Sequence, residues 1–275
     1  MKRRALVAGG LLLAAAVGTS QPVRADEPRS VSLDAEAAPG ATYADLLRQI
    51  VPDLAEAQGG YSGSRLIELR HAAPDYGGAT PERFPLASVP VIAFGAPDRR
   101  FALVLLDLGS YADFAEGLAP LALFDLSGRP RLVDAVDVAF DRHTGFAETG
   151  LSPERDGLVV TTSTHFNSNQ AYVTHAVLGL DKGRLELIDT VSTFNEQSCA
   201  GVSTQRPTFM PAGPNAFVVT VAIETVPGEE ECGEARLETT RRTVSVTYRR
   251  AAPGATFVPD SDALDVLATA NQGRF

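Results

Sequence analysis

Between Leu158 and Phe194, apolar and polar residues alternate in three runs, and this pattern organises the reading of the whole chain. Leu158–Thr164 is rich in valine and threonine, which suit a pleated, half-buried surface. Phe166–Gln170 then carries two asparagines, a serine and a glutamine, side chains that favour turns by bonding to nearby backbone. Tyr172–Leu180 resumes the apolar pattern. Asp181-Lys182-Gly183 reads as a three-residue hairpin loop, and Arg184–Phe194 runs back with Leu185, Leu187 and Val191 at even spacings. The prediction is a three-stranded antiparallel meander. With 166–170 as the loop and His165 opposite Ala171, Ser163 faces Val173 and Thr161 faces His175. One face then carries Thr161, Ser163, His165 and His175 beside Val159 and Val177. A slip of one residue would send His175 to the other face.

The remaining pattern extends this β-rich body. Residues 26–40 mix charge, alanine and Pro39 and read as a mobile lead-in. Thr42 is placed to cap a helix carrying Leu46, Leu47, Ile50 and Leu54 on one face, interrupted at Pro52. Arg65–Arg70 alternates as a strand does, and 72–90 is irregular, with four prolines and two adjacent glycines. Val91–Phe94 and Phe101–Leu108 read as strands, the second nearly all apolar and so buried on both faces. Leu118–Leu126 and Arg131–Phe140 form a hairpin about Ser127-Gly128-Arg129-Pro130. Ala216–Val226 and Thr243–Arg249 complete the strands, and Asp260 or Ser261 caps a short C-terminal helix reaching Asn271.

One echo cuts across this list. LALFDLSGRPRLVDAV (121–136) resembles AVLGLDKGRLELIDTV (176–191) in strand, glycine turn, basic residue, strand and aspartate-x-valine. The offset of about 55 residues has room for four strands, the content of a propeller blade, although two echoes fall short of a full propeller. The expected fold is therefore mainly β, an antiparallel meander forming a sandwich or an incomplete propeller-like body, with a short N-terminal helical segment. The expected division is residues 1–25 as a signal peptide, 26–60 as lead-in and helical segment, 61–259 as the β-rich domain, and 260–275 as a C-terminal helix and tail.

The signal-peptide expectation rests on Lys2-Arg3-Arg4, the apolar run from Ala5 to Val17, and Val23-Arg24-Ala25 before Asp26. That run is about 13 residues, too short for a bilayer, and no later stretch is long enough either, so no stable membrane span is expected after cleavage. Arg3-Arg4 lacks the preceding hydroxyl residue of a twin-arginine signal. The expected location is periplasmic or secreted. Cleavage removes Lys2, Arg3, Arg4 and Arg24, leaving 20 basic residues of 24 against 34 acidic ones, so the formal charge moves from −10 to −14. Such an acidic chain argues against nucleic acid as a partner. The two cysteines, Cys199 and Cys232, are expected to pair in an oxidising compartment, closing a loop worth roughly 3–4 kcal/mol in chain entropy.

Catalytic motifs are mostly excluded. Lys182 is the one lysine outside residues 1–25, which removes a P-loop and argues against Schiff-base chemistry. Gly60-Tyr61-Ser62-Gly63-Ser64 misses a nucleophile elbow by one position. No metal motif is recognisable, no cofactor is expected, and two thiols alone cannot complete a structural zinc site. Three constellations remain. Thr161, Ser163, His165, Asn167, Asn169 and His175 could bind a polar ligand where a loop meets a sheet. Asp141-Arg142-His143 could supply an oriented imidazole. Gly228-Glu229-Glu230-Glu231-Cys232 with Glu234 gathers carboxylates without calcium-loop spacing. These features point to an exported binding or interaction protein for an unidentified small molecule or protein. The alternative is a hydrolase that joins His143 and Asp141 to a hydroxyl from 161–168.

Overall fold

The computed structural model describes residues 27–74, 76, 83–96, 98–109, 117–228 and 237–274. The expected signal peptide and the acidic cluster at 229–234 lie outside them. The fold is mainly β. Strands β1 (Arg29–Ser32), β2 (Glu36–Ala38) and β3 (Ala41–Thr42) precede helix α1 (Tyr43–Leu47). Short strands follow, β4 (Ala55–Ala57), β5 (Gly60–Gly63), β6 (Arg70–His71) and β7 (Phe84–Leu86). The first long meander is β8 (Ser88–Ala96), β9 (Arg99–Leu105), β10 (Pro120–Asp125) and β11 (Arg131–Asp137). The second is β12 (His143–Phe146), β13 (Leu158–Asn167), β14 (Gln170–Asp181) and β15 (Arg184–Gln197). The third is β16 (Gly201–Pro211), β17 (Ala216–Pro227), β18 (Thr240–Arg249) and β19 (Val258–Pro259), and helix α2 (Ala263–Gln272) ends the chain.

The first meander forms a six-stranded sheet with β1 on one edge and β6, in parallel, on the other. The second and third run as one eight-stranded antiparallel sheet in chain order, and no sheet among the described residues closes into a barrel. Strand alternation explains how these layers stack. Val91, Ala102, Val104, Ala122 and Phe124 face a core capped by Leu33, Leu46, Leu47 and Ile50 of the N-terminal segment. Their neighbours Ile92, Leu103, Leu105, Leu121 and Leu123 face Val159, Ala176, Leu178 and Leu185 of the second meander. The near-continuous apolar run of β9 is thus buried on both faces, as its composition predicts. Leu158, Val160, Val177 and Val191 face a third core with Phe209, Phe217, Val219, Val246 and Tyr248 of the third meander.

The sequence echo maps onto β10–β11 and β14–β15, the third and fourth strands of successive meanders. Its aspartates have matching roles. Asp134 of β11 accepts the Leu185 N–H of the next meander at 2.8 Å and pairs with Arg70 at 2.7 Å. Asp189 of β15, its counterpart, accepts the Tyr248 hydroxyl of the meander after that. Burial first, and then this carboxylate, push the Tyr248 phenol well above its ordinary pKa. The repeat therefore encodes a polar tether between layers as well as a turn.

Between β15 and β16 the eight-stranded sheet splits, since only Glu196↔Ser203 and Gln197↔Val202 pair there. Helix α2 occupies the split, with Leu264 and Leu267 in the third core. At its end Asn271 and Gln205, both buried, form a reciprocal amide pair at 2.7 and 2.9 Å. Gln205 Oε1 also accepts the Phe194 N–H at 3.2 Å, and Asn271 Nδ2 donates to Ser192 O at 3.2 Å.

Several expectations need correction. Residues 29–32 are a strand on the β8 edge rather than lead-in, because that edge offers free backbone partners. Of Arg65–Arg70 only Arg70, the start of β6, lies in a strand. The Ser64 and Arg65 N–H groups bond the Asp53 carboxylate and the Ile67 N–H bonds Ile50 O, so the segment's backbone is spent on the turn after α1. Helix α1 does carry the predicted Thr42 cap, reinforced by Asp45 in a capping box. It stops at Leu47, but Ile50 and Leu54 remain buried in its core. Strand β16 escaped the sequence reading because of Pro207 and Pro211. The Gln205 N–H donates to Asn195 Oδ1 and Phe209 O accepts the Gly150 N–H, so odd positions present their backbone to the split, where a missing N–H costs no ladder bond. Asp260 accepts the Thr247 N–H instead of capping α2, which begins after Asp262.

Candidate functional site

The β13–β14 hairpin is tighter than predicted. Asn167 pairs with Gln170 across a two-residue turn, Ser168-Asn169, so His165 faces Tyr172 and Thr162 faces His175. The assumed register was one residue out, and a slip by one exchanges faces. Thr161, Ser163 and His165 do share a face, as expected. His175 lies on the opposite one, its ring tilted against Phe209 at 5.4 Å between ring centres. The two histidines therefore do not converge. Burial drives the His175 imidazole down to about 4, so it is a neutral core side chain at physiological pH. The next turn is also shorter than predicted. Asp181 pairs with Arg184, and Lys182 and Gly183 both have positive φ, the geometry of a type I′ turn.

Ser163 is fixed in the layer between the sheets. Its hydroxyl accepts the Phe140 N–H at 3.0 Å and lies 3.0 Å from Thr144 Oγ1. Thr161 is fully buried, and its hydroxyl has no hydrogen-bond partner among the described residues. Asn169 is exposed in the turn, where its carbonyl accepts the Gln197 N–H at 2.8 Å. It faces an open groove with Glu196, Gln197 and Val202–Thr204.

His165 instead belongs to a cleft of about 550 Å3 at the turn end of the hairpin, and Asn167 lines both this cleft and the groove. The cleft floor is the face of β13–β15 on which His165, Tyr172 and Phe194 sit side by side, with Thr174 and Ser192 in the neighbouring row. Tyr76 and Asp141 form one wall, and Ala268, Asn271 and Gln272 of α2 form the other. Asp141 Oδ1 lies 3.4 Å from His165 Nδ1. His143, by contrast, is largely exposed, and its Nδ1 is 3.7 Å from Asp107. The aspartate expected to orient His143 thus stands against His165. Among the described residues no hydroxyl hydrogen-bonds the His165 ring.

Two supports hold the walls. Tyr76 stacks on His71 at 5.3 Å and meets the Phe140 edge at 5.0 Å, while His71 Nε2 sits 2.7 Å from Ala139 O. On the other side the Tyr172 hydroxyl donates to Gln170 Oε1 at 2.9 Å. Gln170 Nε2 donates to Glu196 at 3.0 Å, and Arg274 pairs with Glu196 at 2.6 Å while lying over the Phe194 ring. Burial, and then the Glu196 charge, raise the Tyr172 phenol above its ordinary pKa and keep it neutral.

The polar side chains of the cleft fall into two groups. Gln170, Tyr172 and Asn271 are committed to protein partners. Asn167, Thr174, Ser192 and Gln272 line the cleft and make no side-chain hydrogen bond to any described residue; Thr174 and Ser192 are half-buried, and Asn167 and Gln272 are exposed at its rim. A larger hollow of about 850 Å3, between Glu27-Pro28, Ile92 and residues 146–155, has the carboxylates Glu27, Glu148 and Glu154 as its side chains without a partner among the described residues. There Thr149 bonds Phe209 O, Ser152 Oγ accepts the Arg155 N–H, and Arg155 bonds Gly150 O and Asp156. These three residues are occupied in holding the loop.

Sequence reasoning found His165 and Asn167 but missed Thr174, Ser192, Tyr172 and Gln272. Correct strand alternation would have placed Tyr172 and Thr174 on the His165 face. Nothing local marks α2 as the opposite wall. The Cys199–Cys232 bridge has one end outside the described residues. Cys199 is not a free thiol, and the adjacent Ala200 carbonyl accepts both the Gly228 and Leu237 N–H groups, closing the base of the acidic segment. No group of three or more possible metal ligands occurs among the described residues, and none of their helices is long and apolar enough to cross a membrane. No family model, curated protein or solved structure matches the chain.

Proposed function

We propose that this is an exported binding protein whose ligand site is the cleft over the β13–β14 hairpin. The supporting observation is the set of polar side chains that line it without partners among the described residues, half-buried Thr174 and Ser192 on the floor and exposed Asn167 and Gln272 at the rim. Polar groups inside a concave site must be satisfied by water or by a ligand. Those beneath and behind them are spent on holding the walls, the arrangement of a preformed site. Export is supported by the basic start, the apolar run and Ala25 at residues 1–25.

A hydrolytic reading draws on one observation, the 3.4 Å approach of Asp141 to His165, which could orient an imidazole as a general base acting on water. Binding requires fewer coincidences, since no nucleophilic hydroxyl bonds that ring. The test is a thermal-shift screen of polar metabolites on the mature protein and on Asn167→Ala/Thr174→Val. The binding reading expects at least one compound to raise the wild-type melting temperature, with the shift lost in the variant. A ligand-induced shift of equal size in both proteins would remove the cleft from consideration.

A further inference from the structure

We infer that the cleft takes a neutral, polyhydroxylated ligand of the carbohydrate class, an inference that rests on the binding site proposed above. The first ground is charge. The lining contains no lysine or arginine, and its one carboxylate, Asp141, faces the His165 imidazole. An anion would find no fixed cation there, on a chain whose acidic residues outnumber its basic ones by ten. A cation would have to compete with His165 for Asp141. Desolvating either ion without a partner is unfavourable, so the site selects against net charge.

The second ground is hydrogen-bond type. Asn167 and Gln272 each offer an amide that donates and accepts, and Thr174 and Ser192 each offer a hydroxyl that does both. Sugar hydroxyls also donate and accept, so such a lining matches them without either side being deprotonated. A purely acceptor ligand or a purely donor one would leave half of these groups unpaired.

The third ground is the aromatic surface. Tyr76 and Tyr172 stand in the lining with Phe194 beside Tyr172 at 4.8 Å; Tyr76 is held from behind by His71 and Phe140, and Tyr172 by Gln170 at the edge of the cleft. The apolar C–H faces of a sugar ring pack on such rings while its hydroxyls turn to the amides. Tyrosine can take this part in a chain that has no tryptophan. The volume of about 550 Å3 lies within the range of small-ligand sites.

The experiment is isothermal calorimetry of the mature protein with neutral trisaccharides of gluco, galacto, manno and N-acetylglucosamine type. The same skeletons carrying a carboxylate or a sulfate, and a set of amino acids and nucleotides, complete the panel. The inference expects one neutral series to bind, with its charged counterpart at least tenfold weaker. Thr174→Val should weaken binding roughly three- to tenfold, the share of one hydrogen bond, with an unchanged melting temperature. If instead a charged compound binds and Thr174→Val or Asn167→Ala weakens it, the ligand class is wrong while the site stands. If a neutral sugar binds but neither variant affects it, or if nothing in the panel binds at millimolar concentration, the carbohydrate assignment falls.

Discussion

The amide pair between Asn271 and Gln205 is the fastening of the C-terminal helix, and its removal has a calculable cost. Asn271→Ala deletes two amide–amide bonds of 2.7 and 2.9 Å and the contact with Ser192 O. Gln205 Nε2 is then left as a buried donor with no partner, since its residue is only 3 % exposed. An orphaned buried donor costs about 1–3 kcal/mol, and each deleted bond contributes about 1 kcal/mol. The sum is about 4–6 kcal/mol, which for a chain of this size lowers the melting temperature by roughly 8–24 °C. The helix should stay docked, because Leu264 and Leu267 still bury their side chains in the third core. Removing both partners avoids the orphan, so Gln205→Ala/Asn271→Ala should be less destabilised than the two singles added, by about 1–3 kcal/mol. Urea denaturation followed by circular dichroism measures all three. Strict additivity, or an Asn271→Ala variant within about 0.5 kcal/mol of wild type, would refute the fastening role.

Three further predictions concern groups the fold commits to structure. The His175 imidazole is pulled from 6.5 to about 4 by burial, so the unfolded chain takes its proton first and stability is lost as pH falls from about 6.5 towards 4, by up to about 3 kcal/mol. Denaturation at pH 7, 5.5 and 4 should show His175→Leu with a correspondingly flatter dependence, and parallel curves would contradict the assignment. Ser163→Ala should cost about 1–3 kcal/mol, because it strands the Phe140 N–H, whereas Asn167→Ala should melt within a degree or two of wild type. A Cys199–Cys232 disulfide should appear in non-reducing peptide maps, and free reaction of both thiols with a maleimide in the folded protein would disprove it.

The layered β architecture was legible because alternation and turn chemistry are local. Val91–Phe94, Phe101–Leu108 and the hairpins about 127–130 and 182–183 all follow from such signals. What was illegible came from long-range demand. A single residue of register, set by a two-residue turn at Ser168-Asn169 rather than a longer loop, moved His175 from the proposed site into the core. Strand β16 was hidden by prolines that the split in the sheet makes harmless. Asn271 and Gln205 are ordinary amides in the sequence, 66 residues apart, and only the split brings them together. Gln272 and Tyr76 reach the cleft from positions far from His165 in the chain, so no local pattern could have joined them to it.

The central claim, that this cleft is where the protein meets its ligand, is tested most directly by an amide and side-chain NMR footprint of the strongest compound from the screen. The account predicts that the largest shifts fall on Asn167, Thr174, Ser192 and Gln272, with the His165 ring affected beside them. Shifts concentrated instead on Thr149, Gly150 and Arg155, in the larger hollow, would contradict it.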